Sequence, residues 1–431
     1  MALVLTLSII AIISMIVLIL KFPVIKIGKI KIDSFFVPIL VVALIFLIFP
    51  IYDKSETFNT LTSNTSLNPL KILILFISMS FISIVLDESG FFGYLANVFI
   101  TKYKSSQMKL FITLYILISI VTIFTSNDII ILTFTPFIIS FSKKGKINPI
   151  PYLFMEFVAA NTYSILLEIG NPTNIYLSSV FSISFIDYLI KMILPVIFIG
   201  ISSFLTLILL FRKQLKKPIE SFETNEEKIK DKYIMYVSLI HLILTIIILA
   251  ISNYLNFEMY LITFSFALSL FLFVSIYSII KKKKIILFNS IKRIPFTLIP
   301  FILSMFVIIM ALDSVSIFDK IGALVNNINN QNLQSFIYLL SSTISSNVVN
   351  NIPMTLAYSK ILNNNLYNIL ATIIGSNLGA ILTPMGALAG IMFMKIVNIN
   401  KIEFKFITFV KYGVIVTVVS ILFGFMSLLL I

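Results

Sequence analysis

Four polar stretches interrupt an otherwise apolar chain, and their residue types suit the holding of a small ion or polar solute. The first is Thr125-Ser126-Asn127-Asp128, and the second is Ser346-Asn347-Val348-Val349-Asn350-Asn351. The third, Glu168-Ile169-Gly170-Asn171-Pro172-Thr173-Asn174, follows Asn161, which stands nine residues before Gly170. The fourth joins Gly375-Ser376-Asn377 to Thr383-Pro384-Met385-Gly386, with Asn377 again nine residues before its glycine. Proline removes a backbone donor and glycine relaxes a helix, so the third and fourth stretches are expected to unwind. Freed carbonyls, amide side chains and half-helix N-termini can then hold a solute without a fixed buried charge. Covalent catalysis lacks its parts: the chain has no Cys, a single His (His241), and no HExxH or GxSxG motif. An enzyme is not expected. With no Walker A sequence, energy should come from an ion gradient.

The elements that must position these stretches are membrane helices. Of 431 residues, 59% are hydrophobic and 12% charged, far from the balance of a soluble domain. Candidate spans are Ala2–Leu20, Phe35–Tyr52, Pro69–Leu86, Tyr188–Phe211, Tyr233–Asn253, Glu258–Ile280, Ile294–Leu312 and Phe406–Ile431. The net charge of +14 forms no nucleic-acid stripe. Instead, 27 of the 32 Lys and Arg residues fall in six segments, 21–31, 102–109, 143–146, 212–232, 281–293 and 395–411. Placing all six in the cytoplasm makes every span alternate and puts both termini outside. The expected organisation is an N-terminal membrane half (1–211), a charged cytoplasmic linker (212–232) and a C-terminal membrane half (233–431).

Within that frame, Leu110–Ser142 has lysines at both ends and a polar break in its middle. Each arm of about 15 residues would give roughly 23 Å of helix, so a re-entrant hairpin (110–142) entering from the cytoplasm is expected. Its counterpart (333–362) has Asn-rich, uncharged feet and is expected to enter from outside. The third and fourth stretches break the spans 155–178 and 370–394. Three pairs of landmarks recur in order: Leu86-Asp87 with Leu312-Asp313, Ser126-Asn127 with Ser346-Asn347, and Asn161 with Asn377. The fold class is therefore an all-α polytopic membrane protein with inverted-topology repeats, two re-entrant hairpins and two broken transmembrane helices. Such repeats typify secondary transporters, with the site at the repeat interface.

Intramembrane acids are costly and mark function. Asp128, on a hairpin tip, and Glu168, beside a helix break, are the coupling candidates. Asp87, Glu88 and Asp313 close their spans and read as interfacial or capping groups. Glu156 reads as interfacial near the basic 143–146 loop, and His241 as a packed or lipid-edge side chain. No Arg is expected within a span.

At LDESGFF (86–92), SNDIIILTFTPF (126–137), GNPTN (170–174), SSNVVNNIPM (345–354) and GSNLGAILTPMGALA (375–389), the chain resembles arsenite/antimonite efflux permeases and NhaD-type sodium/proton antiporters. These belong to the ion transporter superfamily, with the divalent-anion/sodium symporters and citrate transporters. The resemblance runs from about Phe35 to the C-terminus. It implies that Ser126, Asn127 and Gly170 line one ion or substrate site and Ser346, Asn347 and Gly386 its mirror, with Na+ as coupling ion at either. Asn161, Asn171, Thr173, Asn174, Asn350, Asn377 and Thr383 complete the expected lining. The expected function is secondary active transport of a small inorganic or organic ion or oxyanion, coupled to H+ or Na+. A sodium/proton antiporter and a sodium-coupled carboxylate or anion symporter are the alternatives. Expected partners are the lipid bilayer and the small solute, with no nucleic acid and no cofactor beyond Na+. A homodimer, and an ATPase subunit in the case of an arsenite pump, follow from the resemblance alone. Some arsenite pumps carry acids where this chain has Asn161 and Asn377, and Glu168 departs from the family pattern.

Overall fold

The computed structural model describes residues 2–22, 24–27, 30–62, 68–103, 106–219, 228–252, 257–281 and 285–431. The first series of helices is α1 (Ala2–Lys21), α2 (Val37–Ile48), α3 (Ser55–Thr62), α4 (Pro69–Glu88), α5 (Phe91–Tyr103), α6 (Gln107–Phe124), α7 (Asn127–Lys144), α8 (Ile150–Tyr163), α9 (Pro172–Val180) and α10 (Phe185–Leu215). The second is α11 (Lys232–Ala250), α12 (Met259–Ile280), α13 (Ile285–Arg293), α14 (Leu298–Asp313), α15 (Ile317–Asn326), α16 (Gln331–Val349), α17 (Asn351–Ile361), α18 (Leu366–Leu382), α19 (Leu388–Ile399) and α20 (Phe406–Leu428). The two series match helix for helix. α4 packs on α12 as its counterpart α14 packs on α2, and α10 pairs with α20.

Among the described residues, eight stretches are long and apolar enough to cross a membrane; they include Gln107–Phe124, expected as a hairpin arm, and leave out the expected span 35–52, where the helix Val37–Ile48 has only 12 residues. Helices at the edge of the bundle turn apolar side chains outward at helical spacing, as Ile193, Ile197, Ile201, Leu205 and Leu209 do on α10. α4, by contrast, is buried along most of its length and packs chiefly against α11, α12 and α13 of the second series.

Cross-contacts sort the connections into two faces. On one, Gln107 donates to the Lys217 carbonyl, Lys143 to that of Asn400, Asn148 to Gln214, and Lys395 pairs with Asp33. Every one of these joins two of the basic segments or their immediate flanks. On the other face, Lys71 pairs with Glu258, Lys360 with Glu56, and Lys191 reaches the carbonyl of Ile431. Three of the five lysines outside the basic segments (Lys71, Lys191 and Lys360) make these second-face connections.

Several expectations need correction. α6 and α7 have 18 residues each, about 27 Å of helix, so the arms are longer than the polar break suggested. The extra turns lie beyond the apolar run, where Gln107 and Lys143 reach the basic face. α16 likewise begins at Gln331, capped by Asn330, whose side chain accepts from the Leu333 amide. Asn365 caps α18 in the same way, so part of the Asn-rich feet is helix capping. The basic segment after α1 is not a plain loop: Val24–Ile27 (β1) pairs antiparallel with Ile30–Asp33 (β2), Val24 opposite Asp33. Their alternation of Ile with Lys carries the period-two signal of strands. Of the charged linker, residues 220–227 lie outside the described set.

Candidate ion-binding site

The first tip is the junction of α6 and α7. Ser126 takes the N-cap position of α7, yet its hydroxyl has no hydrogen-bond partner although buried. Asn127 Nδ2 donates to Asn161 Oδ1 at 3.1 Å, while Asn127 Oδ1 accepts from the Asp128 amide at 2.9 Å. Asp128 stands in the first turn of α7, 8% exposed, so it is not the capping residue. It lines a cavity of about 50 Å³ together with Asp33, Thr297, Leu388, Met392 and Lys395. The Lys395–Asp33 ion pair (2.7 Å) therefore borders the same space as this carboxylate.

The second tip is built differently. Asn347 Nδ2 donates to the carbonyls of Thr343 (2.8 Å) and Gly379 (2.9 Å), and Asn347 Oδ1 accepts from Thr383 at 2.6 Å. Asn350, between α16 and α17, has φ 74° and ψ 154°, a region that side chains rarely enter. Its Nδ2 reaches the Met385 carbonyl at 3.2 Å, which ties the strained tip to the second helix break. Asn350 Oδ1 and Asn351 Oδ1 are buried without partners.

Both breaks are present. Between α8 and α9, a single 3-10 turn covers Glu168–Gly170, and Asn171 caps α9 with Pro172 at its start. Between α18 and α19, the turn is Pro384–Gly386 and Thr383 caps it. Close backbone approach demands glycine here: a Cβ at Gly170 would strike the Ser164 carbonyl and one at Gly386 that of Gly379. The second break is narrower than expected, because α18 runs unbroken through Gly375, Ser376 and Asn377. Those residues serve packing instead. Gly375 and Gly379 face Ser342 and Ser346 of α16 so closely that added Cβ atoms would collide.

Asn377 joins the two series. It accepts from Asn171 Nδ2 (2.9 Å) and Ser164 (3.3 Å), and donates to Asn174 Oδ1 (2.9 Å). Ser376 adds a bond to Thr173 at 3.2 Å. A polar chain thus runs from Asn127 through Asn161 and Ser164 to Asn377, two residues before Gly379, whose carbonyl accepts from Asn347. No direct hydrogen bond joins the two tips among the described residues.

The acids divide into two sets. Asp87 and Glu88 meet Arg293 at 2.6 and 2.7 Å, and Thr133 of α7 donates to Asp87 at 2.8 Å. Its mirror is Asp313 with Lys360 at 2.7 Å, Lys360 lying near the end of α17. These groups are not merely caps: ion pairs tie α4 to the end of α13 and α14 to α17, and the Thr133 hydrogen bond ties α4 to α7. Sequence reasoning missed them because Arg293 lies outside the spans and Lys360 looked isolated. The second set, Asp128, Glu156 and Glu168, has no Lys or Arg ion-pair partner among the described residues. Glu156 is fully buried against Thr135 rather than interfacial, since α8 starts at Ile150 and carries it more than a turn inward. Glu168 is 1% exposed with both oxygens unpartnered. Its neighbour Ser178 donates to backbone carbonyls and also lines a cavity of about 370 Å³ on the second face, with Lys71, Ser182, Ser252 and Glu258. His241 is packed, contacting the Val237 carbonyl and Ser269.

Two paired broken helices beside two tips define a membrane transporter fold, and known structures agree. The YdaH transporter of Alcanivorax borkumensis superposes with a TM-score of 0.56 at 11% identity, over 99% of this chain and 97% of that one. MtrF of Neisseria gonorrhoeae, described as illuminating a class of antimetabolite efflux pumps, gives 0.53 at 14% identity, over 99% and 94%. The chain belongs to the citrate transporter family CitMHS, whose profile matches residues 1–364. Arsenical pump membrane proteins are relatives: that of Yersinia enterocolitica is 23% identical over 79% of this chain and 82% of its own length. An Escherichia coli relative of the same description is 24% identical with the same coverage. The protein is thus a multi-pass secondary transporter of ions or oxyanions.

Proposed function

We propose that the chain exports a small uncharged oxyacid of the arsenite kind, driven by a proton or sodium gradient across the cytoplasmic membrane. The observation that carries this is the chemistry of the tips and breaks: amides, hydroxyls and backbone carbonyls, with no Lys or Arg bonded to Ser126, Asn127, Ser346 or Asn347 among the described residues. Such a surface matches a neutral polyhydroxy solute, which both donates and accepts, better than a multivalent anion. The arsenical relatives support the same substrate. In this reading the basic face is cytoplasmic, both termini are outside, and the tips belong to two re-entrant hairpins in the halves 1–211 and 233–431. A homodimer, and an ATPase subunit where one is present, stand on family likeness alone.

A sodium/proton antiporter is favoured by a different observation. Ser126 Oγ, Asn350 Oδ1 and Asn351 Oδ1 are bare buried oxygens, the donor type that Na+ requires, and Asp128 supplies a carboxylate at the first tip.

Flux in proteoliposomes with arsenite, sodium and a panel of anions, under imposed pH and sodium gradients, separates the two. Asn127→Ala and Asn347→Ala should each lower flux at least about tenfold while the protein stays monodisperse. Normal transport in both would remove the tips from the site. Asp128→Asn should leave solute movement insensitive to the driving gradient; an unchanged dependence would show that its carboxylate is not the coupling group.

A further inference from the structure

α7 and α8 share a second polar rung. Beyond Asn127–Asn161, the Thr135 hydroxyl donates to Glu156 Oε1 at 2.9 Å. Glu156 is 0% exposed, and its Oε2 has no partner. Five residues separate Glu156 from Asn161 and six from Ile150 at the start of α8, about 7.5 and 9 Å of helix. The carboxyl therefore lies between the amide site and the basic face. On α7, Asn127, Thr135 and Ser142 succeed one another at intervals of eight and seven residues, which keeps them on one side of the helix. Ser142 is buried and its hydroxyl is also unpartnered.

Among the described residues, no Lys or Arg is paired with Glu156. α8 packs against α6, α7, α10 and α18, and its Phe154 and Phe157 meet rings of α19 and α20, whose charged residues are Lys395, paired with Asp33, and Lys411. α6 offers Lys109 in its first turn, α10 Asp187 in its first turn with Arg212 and Lys213 in its last, and α7 Asp128 and Lys143 at opposite ends. α10 also carries Lys191, which is bonded to the Ile431 carbonyl on the second face. α18 contributes no charged residue. The nearby phenols Tyr152 and Tyr115 donate to the carbonyls of Gln107 and Gly200. A bare carboxylate there is costly, so a positive companion must accompany it. A metal cation needs several oxygens, and among the described residues a single hydroxyl is bonded to this carboxyl. A proton needs no more than that.

We infer that Glu156 is a proton-carrying residue, which relays the coupling proton along the α7–α8 seam between the basic face and the amide site. The proton resides on Oε2 and leaves toward Ser142 and water at the basic face. Oε1 keeps the Thr135 hydrogen bond in both states. This rests on the transporter reading but adds a residue and an ion to it: H+ rather than Na+ at this position.

The test uses the full-length protein in proteoliposomes. Glu156→Gln, which can still accept from Thr135, is expected to lose pH-gradient-driven flux at least about tenfold while solute exchange at equal pH persists. Infrared spectroscopy supplies a readout independent of transport: a carboxylic C=O band should titrate in the wild type and be missing from Glu156→Gln. Thr135→Val, which keeps the acid and removes its donor, should shift the midpoint of that band. Wild-type gradient-driven flux in Glu156→Gln, or a titrating band identical in the two proteins, overturns the proposal. Failure of the wild type to move any solute would instead sink the transporter reading, and the infrared result would still judge Glu156.

Discussion

Asn377 shows why this interior is built from amides. One side chain meets Asn171, Ser164 and Asn174, residues from the other series, and needs no charge to do so. Asn377→Ala would strand Asn171 Nδ2, for which no other acceptor is found among the described residues, and weaken the hold on Asn174. At about 1–3 kcal/mol for a buried orphaned group, the variant should melt measurably lower in detergent. Differential scanning fluorimetry checks this, and an unchanged transition would show that the bonds are dispensable. The importance of Asn161 and Asn377 was legible in sequence from their shared spacing to a glycine. Their partners were not, because hydrogen bonds across the two series depend on how α8 meets α18, and no local pattern encodes that. Asn350 was legible only as one more asparagine. Its positive φ and bare Oδ1 emerge once α16 stops and α17 starts within a single residue.

At the scale of elements, the junction of α16 with α18 turns on two glycines. A Cβ at Gly379 would overlap Ser346 Oγ and come within 2.7 Å of the Thr343 carbonyl. Gly379→Ala should therefore cost about 1–3 kcal/mol, as overpacking does. Adding Ser346→Ala should recover part of that loss, and thermal melts of the two single variants and the double variant give the coupling. Strict additivity would mean that the helices simply move apart. The sequence GSNLG predicts an unwound helix, whereas the helix uses its small residues for close approach. Glycine with asparagine is ambiguous in a membrane segment, and only the downstream Thr383-Pro384 fixes where α18 ends. Helix lengths suffered likewise: apolar runs mark the lipid-facing part, whereas caps such as Asn330 and the contacts of Gln107 carry helices further.

For the whole molecule, the alternation of basic segments was the most informative feature of the sequence, and contacts gather five of the six segments or their flanks on one face. With no native Cys, a single introduced cysteine reports topology without background. Ser182→Cys, in the larger cavity, should react with a membrane-impermeant maleimide in intact cells, and Lys401→Cys only after permeabilisation. The reverse pattern would invert the orientation. The amide-held centre has an electrical consequence. Shifting one elementary charge across 100 mV involves about 2.3 kcal/mol of work, whereas shifting a neutral amide involves none. If each unpaired acid holds a proton, the amide-held centre presents no net charge on which the membrane voltage can act. Any current recorded when the potential is stepped then belongs to the cargo and its accompanying ions, not to the protein's own moving parts.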